Sequence, residues 1–409
     1  MWVGLALLFV GFWGYVLIRG WDISLSMLAV VPFRSISNYT FAAMPLFLMM
    51  GIFVTNTGFA SDLFKSAHQW IGQLRGGLAM ATSIASAILG VITDSMVAVI
   101  TLGKAAVPEM RKYKYDDSLA NASVAGGASL ASLVPPSIGF IMYGMLTGES
   151  VGQLYIAAVI PSIFLTAAML FLIGFMARIN PKLAPPGPKT SFRAKVVSLK
   201  FTWGVAALFI LIIVGIYAGV FTPTEAGAVG AFGALVIGLI GRRFTKKSLI
   251  DSILETAQMT AMIVVLVAGA FVFANMMTVS KIPFMLANFV AGLEVSRYVV
   301  MAVIFLIYII MGMFSDIMPC IIVTIPILFP VIETLGFDPI WFGVVMCLLA
   351  EMGMITPPIG MNVFILSGIT GTPINVIFRG VWPFVLLLLF SIVILTIFPQ
   401  IVLWLPSTM

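Results

Sequence analysis

Ser132-Leu133-Val134-Pro135-Pro136-Ser137 interrupts a long apolar run with two successive prolines, and the interruption recurs as Met354-Ile355-Thr356-Pro357-Pro358-Ile359-Gly360. Proline lacks a backbone N–H and crowds the turn before it, so a helix breaks there and the preceding carbonyls lose their partners. The two breaks lie 222 residues apart. The same shift places Gly90 on Gly312, Asp94 on Asp316, Pro108 on Pro330 and Pro161 on Pro383. Apolar composition alone would match Leu with Val, but it would not match helix breakers. The chain therefore reads as an internal repeat of two halves.

Around the breaks the sequence is that of a membrane. Of 409 residues, 61% are hydrophobic and 9% charged, where a soluble domain carries about 25% charged residues. Apolar stretches of about twenty residues, enough to cross a bilayer as helix, recur from end to end. The first, Met1 to Ile18, has neither a basic start nor a small-residue cleavage site and reads as a retained helix. The expected fold class is an all-α polytopic membrane protein.

The formal charge of +6 is no nucleic-acid signal, because the basic residues gather in short loops. Arg111, Lys112 and Lys114 form one group. Arg178, Lys182, Lys189, Arg193, Lys195 and Lys200 form a second, and Arg242, Arg243, Lys246 and Lys247 a third. Such groups hold loops in the cytoplasm. Cys320 and Cys347 sit in apolar sequence and read as small core residues, unpaired. The lone His68, beside Trp70, reads as interfacial, and one histidine without metal-ligand spacing excludes the usual hydrolase and metalloenzyme sites.

The proline-rich polar stretch 180–200 divides the chain as a cytoplasmic linker. The amino-terminal repeat, 1–179, comprises scaffold helices in 1–58, an arm at 61–75, a hairpin at 76–110, a broken helix at 118–146 and a helix at 155–177. The carboxy-terminal repeat, 201–409, follows the same plan: scaffold helices in 201–279, arm 281–294, hairpin 298–333, broken helix 341–371 and helix 380–404. With the basic groups inside, the first hairpin enters from the cytoplasm and the second from the opposite face. The repeats are then inverted, with nine crossings and two re-entrant hairpins, the amino terminus in and the carboxyl terminus out. Inverted repeats with sites near the midplane mark secondary transporters.

Each hairpin has a polar tip, Thr93-Asp94-Ser95 and Ser315-Asp316. An aspartate in hydrocarbon is costly and normally faces a cavity or a partner, although Asp94 and Asp316 could instead cap the helices that follow. Carbonyls freed at the double prolines can coordinate Na⁺, and the half-helix beyond can face an anion. Thr222-Pro223-Thr224-Glu225 fits a capping box, so Glu225 reads as structural. Lys104 is placed to snorkel toward the cytoplasm. Glu351 precedes the second break, where a proton site and a structural role both remain open. The 26 methionines read as gap fillers.

Together these residues resemble the large membrane subunit of tripartite ATP-independent periplasmic (TRAP) transporters. The resemblance is carried by Met44-Pro45-Leu46-Phe47 with Gly51, the run from Gly90 to Ser95, and Ser129 to Ile138. Gly219-Val220-Phe221-Thr222-Pro223-Thr224-Glu225-Ala226 and Ile355 to Gly360 complete it. It implies an elevator-type importer in the bacterial inner membrane, driven by Na⁺ as coupling ion and requiring no other cofactor. It also implies organic anions such as C4-dicarboxylates, sialic acids or keto acids as substrates. The partners it implies are a separate small four-helix membrane subunit and a periplasmic substrate-binding protein, within membrane lipid. Carried over by position, one sodium site would use Thr93, Asp94 and Ser95 with Ser132 and Val134. The other would use Ser315 and Asp316 with Met354 and Thr356. Substrate contacts would come from Ser95, Pro136, Ser137, Ser315, Pro358, Gly360 and Asn362. No arginine lies at either break, so helix starts and hydroxyls would hold a carboxylate, and these accept many acids. The rival reading is a self-sufficient Na⁺–carboxylate symporter that needs no binding protein. A membrane-embedded enzyme has no catalytic constellation here, and a channel-like assembly protein would show no saturable, ion-coupled uptake.

Overall fold

The computed structural model describes residues 2–90, 95–187, 190–200 and 202–409. Met1, the stretch 91–94 with Thr93 and Asp94, Lys189 and residue 201, all used above, lie outside them. Among the described residues every regular element is helical. In hydrocarbon a helix satisfies its own backbone polar groups, so a chain this apolar has little other choice.

Eight of these helices are long and apolar enough to cross a bilayer. Six stand apart from the hairpins: Trp2–Arg19, Tyr39–Asn56, Val151–Ile179, Pro223–Ile240, Lys246–Ser280 and Ile374–Ile397. The other two, Arg297–Phe314 and Ile317–Thr334, are the legs of the second hairpin. At 18 residues each leg is about 27 Å long, deeper than a shallow dip. The first hairpin has legs Gly77–Gly90 and Ser95–Lys112. Trp203–Tyr217 is shorter, with 15 residues.

Helix bounds in the two halves track one another. Ser95–Lys112 and Ile317–Thr334 are separated by 222 residues at both ends, and Asp117–Ala131 starts 222 residues before Pro339–Ile355. Trp2–Arg19 corresponds to Pro223–Ile240 within a residue. Packing exchanges between the halves: Trp2–Arg19 lies along Lys246–Ser280, and Pro223–Ile240 lies along Ala43–Asn56. The largest difference between the halves lies in their second scaffold segments. Lys246–Ser280 runs unbroken for 35 residues, whereas its counterpart is divided into Trp21–Ile36 and Ala43–Asn56. Asn38 makes the division by accepting a hydrogen bond from the Thr40 N–H, opening a new helical segment.

The core is made by the broken helices. Every residue from Leu119 to Ala131 is buried, and so is every residue from Ile340 to Ile355. The first is two-thirds Ala, Gly and Ser, which lets neighbouring backbones close in. The outer helices instead keep large apolar side chains such as Phe9, Phe171 and Phe390 exposed, as lipid-facing surfaces require. The stretch 180–200 is not a free linker: it contains the helix Phe192–Leu199, packed on the first arm helix Phe59–Ile71. The second arm is the shorter helix Ile282–Ala291.

Candidate functional site between hairpin tips and broken helices

The first break opens where Asp117–Ala131 runs out. Leu133 and Val134 N–H groups both turn back to the Leu130 carbonyl, at 3.1 and 3.0 Å. Pro135 and Pro136 offer no donor, and the chain resumes as helix at Ile138–Thr147. At the second break the Thr356 N–H donates to Gly353 O at 2.9 Å and its hydroxyl to Met352 O at 2.5 Å. Gly360, at φ +58°, makes the left-handed turn into Met361–Thr370 that a side chain would resist.

Each hairpin lies against its own broken helix. A Cβ on Gly90 would sit 2.4 Å from the Ala131 Cα, and one on Gly312 would sit 2.3 Å from the Ala350 carbonyl oxygen. The glycines matched at the repeat shift are thus contact points where backbone meets backbone. At the second tip Asp316 accepts from the Ile317 N–H at 2.7 Å, so it does cap the helix it precedes. Capping uses only part of a carboxylate's acceptor capacity. Ser315 donates to Met311 O at 3.1 Å.

Contacts also cross between halves. Ser95 at the start of the first hairpin's second leg donates toward Met354 Sδ at 3.9 Å, and Asn362 Nδ2 lies 3.5 Å from the Ser95 hydroxyl. Reciprocally, Ile138–Thr147 packs on Ile317–Thr334. Arg111, read above as a topology determinant, has a second task. Its guanidinium donates to Asp117 at 2.7 Å, to Thr370 O at 2.9 Å and to Thr372 Oγ1 at 2.8 Å. Asn121 donates to Thr372 Oγ1 at 3.0 Å and accepts from Thr370 Oγ1 at 2.9 Å. A cation placed at the carbonyl end of Met361–Thr370 also suits that helix's dipole.

A cavity of about 360 Å³ opens beside this assembly. One wall carries Ser132, Pro136, Ser137 and Gly139 from the first break, Asp316 and Met318 from the second tip, and Val97. The other belongs to the outer helices: Phe47, Gly51, Thr55 and Asn56 of Ala43–Asn56, and Glu255, Met259 and Met262 of Lys246–Ser280. Of the expected site residues, Ser132, Pro136, Ser137 and Asp316 therefore share this cavity. Ser95 instead contacts both Met354 and Asn362, and none of the three lines it. Val134, Ser315, Thr356, Pro358 and Gly360 line neither group, and Thr93 and Asp94 are not described. Glu255 and Asn56 were not anticipated. An acidic residue inside an apolar helix is itself a signal, and Glu255 carried it.

Residues 1–401 match the family described as "Tripartite ATP-independent periplasmic transporter, DctM component". The C4-dicarboxylate TRAP transporter large permease DctM of Pseudomonas aeruginosa is 34% identical over 387 residues, covering 94% of this chain and 90% of that one. The sialic acid permease SiaM of Vibrio cholerae is 30% identical, covering 99% and 94%. The 2,3-diketo-L-gulonate permease YiaN of Escherichia coli is 31% identical, covering 89% and 86%. In fold the chain is similar to the YdaH transporter of Alcanivorax borkumensis, with a TM-score of 0.67 at 15% identity over 98% and 96% of the two chains.

Proposed function

From its membership of the DctM component family of tripartite ATP-independent periplasmic transporters, to which the chain belongs, we propose that it is the Na⁺-coupled importing subunit for an organic anion. It is a multi-pass membrane permease and not an enzyme, as its relatives are. The anion would be a carboxylate handed over by a periplasmic binding protein, and a small four-helix membrane subunit would complete the complex. We place it in a bacterial inner membrane with the amino terminus cytoplasmic and the carboxyl terminus periplasmic, as the basic loops require.

The observation that carries this reading is the cavity itself. It is bounded by a double-proline break and an aspartate tip on one side and by the outer helices Ala43–Asn56 and Lys246–Ser280 on the other. That is the arrangement an elevator needs: a body that holds substrate and a wall it slides along. The matched helix bounds and exchanged packing of the halves support inverted repeats. We assign the coupling ions, as co-substrates, to the two tip-and-break pairs. Ser132 and Val134 would serve with the 93–95 tip, and Met354 and Thr356 with Ser315 and Asp316. Hydroxyl and carbonyl oxygens of that kind suit a hard monovalent cation. The carboxylate would meet Pro136, Ser137 and the start of Ile138–Thr147.

Uptake into proteoliposomes tests the proposal. It should require external Na⁺, and Asp316→Ala should reduce it at least about tenfold, an ion-site loss of about 1.4 kcal/mol or more, with membrane insertion intact. Uptake that persists with choline in place of Na⁺ but collapses without a pH gradient would remove the sodium assignment. Full transport by the chain alone would favour a self-sufficient symporter.

A further inference from the structure

Phe192–Leu199, in the stretch that joins the two halves, turns one side to the protein and leaves the other bare. None of its residues is fully buried. Ala194, Lys195 and Ser198 are half-buried and mark the side against the first arm, where the Ser66 hydroxyl donates to Ser198 O at 2.8 Å. At about 100° per residue, Phe192, Val196 and Leu199 fall on the opposite side as one exposed apolar stripe, Phe192 at 74% exposure. Arg193 and Lys200, also exposed, lie along one edge of that stripe. The helix meets Trp203–Tyr217 at a bend of 55°, and Trp203 is exposed at the start of that apolar helix. An apolar stripe edged by basic residues, beside a helix entering the bilayer, is the pattern of an element lying in the membrane interface. The charge is one-sided as well. No acidic residue occurs between Glu149 and Glu225. Among the described residues the ion pairs join Arg111 to Asp117, Lys112 to Glu109 and Arg243 to Asp62, so none neutralises Arg193 or Lys200.

We infer that this face is a docking surface for anionic phospholipid: the apolar stripe enters the leaflet, and Arg193 and Lys200 hold acidic headgroups above it. Keeping a loop on one side of the membrane takes positive charge anywhere in that loop. It calls for neither the stripe nor the two basic residues at its edge. A soluble acidic partner would pair with Arg193 and Lys200 but leave Phe192, Val196 and Leu199 without cover. A neutral leaflet would cover the stripe but return no net countercharge. An anionic leaflet does both, and each basic residue near it favours the acidic lipid about fivefold. Because Ser198 is bonded to the arm, the surface that holds this helix to the leaflet also holds the arm there.

Quenching by spin-labelled lipid tests this on the full chain in symmetric phosphatidylcholine nanodiscs, where the result does not depend on which leaflet the helix meets. With Cys320 and Cys347 replaced by Ser, Val197→Cys carries a bimane fluorophore at the flank of the stripe. The probes are spin-labelled phosphatidylglycerol and spin-labelled phosphatidylcholine, each titrated in turn. Phosphatidylglycerol should quench at a mole fraction at least about fivefold lower than phosphatidylcholine. Raising NaCl to about 1 M should remove most of that preference, because headgroup contacts at the surface are then screened. Arg193→Gln combined with Lys200→Gln should bring the two lipids level while both still quench, since the stripe remains. Equal quenching by the two lipids on the chain that keeps Arg193 and Lys200 overturns the inference. So does quenching by aqueous iodide with none by either lipid, which would place the face in water. No quenching by lipid or iodide would show the face covered by protein, and it also overturns the inference. A preference that survives both glutamines belongs to other charges and overturns it too. If the double variant does not fold, the salt titration decides: a preference indifferent to NaCl is not electrostatic, and the inference fails.

Discussion

Glu149 follows the first half-helix, half-buried, and burial together with Asp338 and Glu333 pushes its carboxyl above the usual glutamate value. Its penalty is absent at low pH, where folded and unfolded chains both hold the proton. It grows as pH rises from the ordinary value of 4.5 through the raised one. Glu149→Gln should therefore raise the thermal midpoint at neutral pH and leave it unchanged below about pH 4. A midpoint that shifts equally at both values would show that the gain is packing, not charge. At this scale much was legible in the sequence. The Thr222–Glu225 capping box reads directly from its spacing and is present, with the Thr222 N–H donating to Glu225 at 2.8 Å. Glu255 was not legible as a cavity residue, because sequence marks an intramembrane charge without saying what faces it.

Between elements, polar side chains do what apolar packing cannot do specifically. Arg111 ties the first hairpin to the first broken helix through Asp117 and to the end of Met361–Thr370 through two further bonds. Arg111→Gln should cost about 1–2 kcal/mol, most of it from the bonds at Thr370 and Thr372. Asp117→Asn should cost less, about 0–1 kcal/mol, because the ion pair is well exposed. Thermal unfolding in detergent checks the ranking; equal losses would make the exposed pair the principal tie. The first arm is fastened differently. Arg243 bonds Asp62 and Thr57 O and lies 4.2 Å over the Phe59 ring, joining the arm to a loop of the other half. Gly187 N donates to Gly72 O at 3.0 Å and Thr190 Oγ1 to Gln69 O at 2.6 Å, which straps the central segment to the same arm.

At the scale of the molecule these ties sort the helices into two sets. Hairpins and broken helices interlock through Gly90, Gly312, Ser95 and Arg111. Arg243 ties the first arm to a loop of the outer helices, and the cavity lies between the two sets. Motion of the first set as one body, with the second still, is the expected transport step. Cross-linking reads it. With Cys320 and Cys347 replaced by Ser, Val97→Cys should couple to cysteines near the Asn56 end of Ala43–Asn56 in one state. It should couple nearer Met44 in the other. Capture at a single depth under every Na⁺ and substrate condition, with transport continuing through the link, would exclude a sliding body.

The sequence by itself determined the membrane class and the position of both breaks, and it carried the repeated pattern of breakers. Hydrophobic runs and prolines act locally: a missing N–H breaks a helix whatever surrounds it, and a repeated pattern of breakers repeats the element. Only the tertiary structure decided which residues meet. Ser95 lies beside Asn362, and Asp316 and Glu255 share a cavity with Ser137. These groupings join residues from opposite halves, more than a hundred positions apart. They depend on how two helical layers close on each other, and hydropathy, being nearly uniform along this chain, carries no trace of that choice.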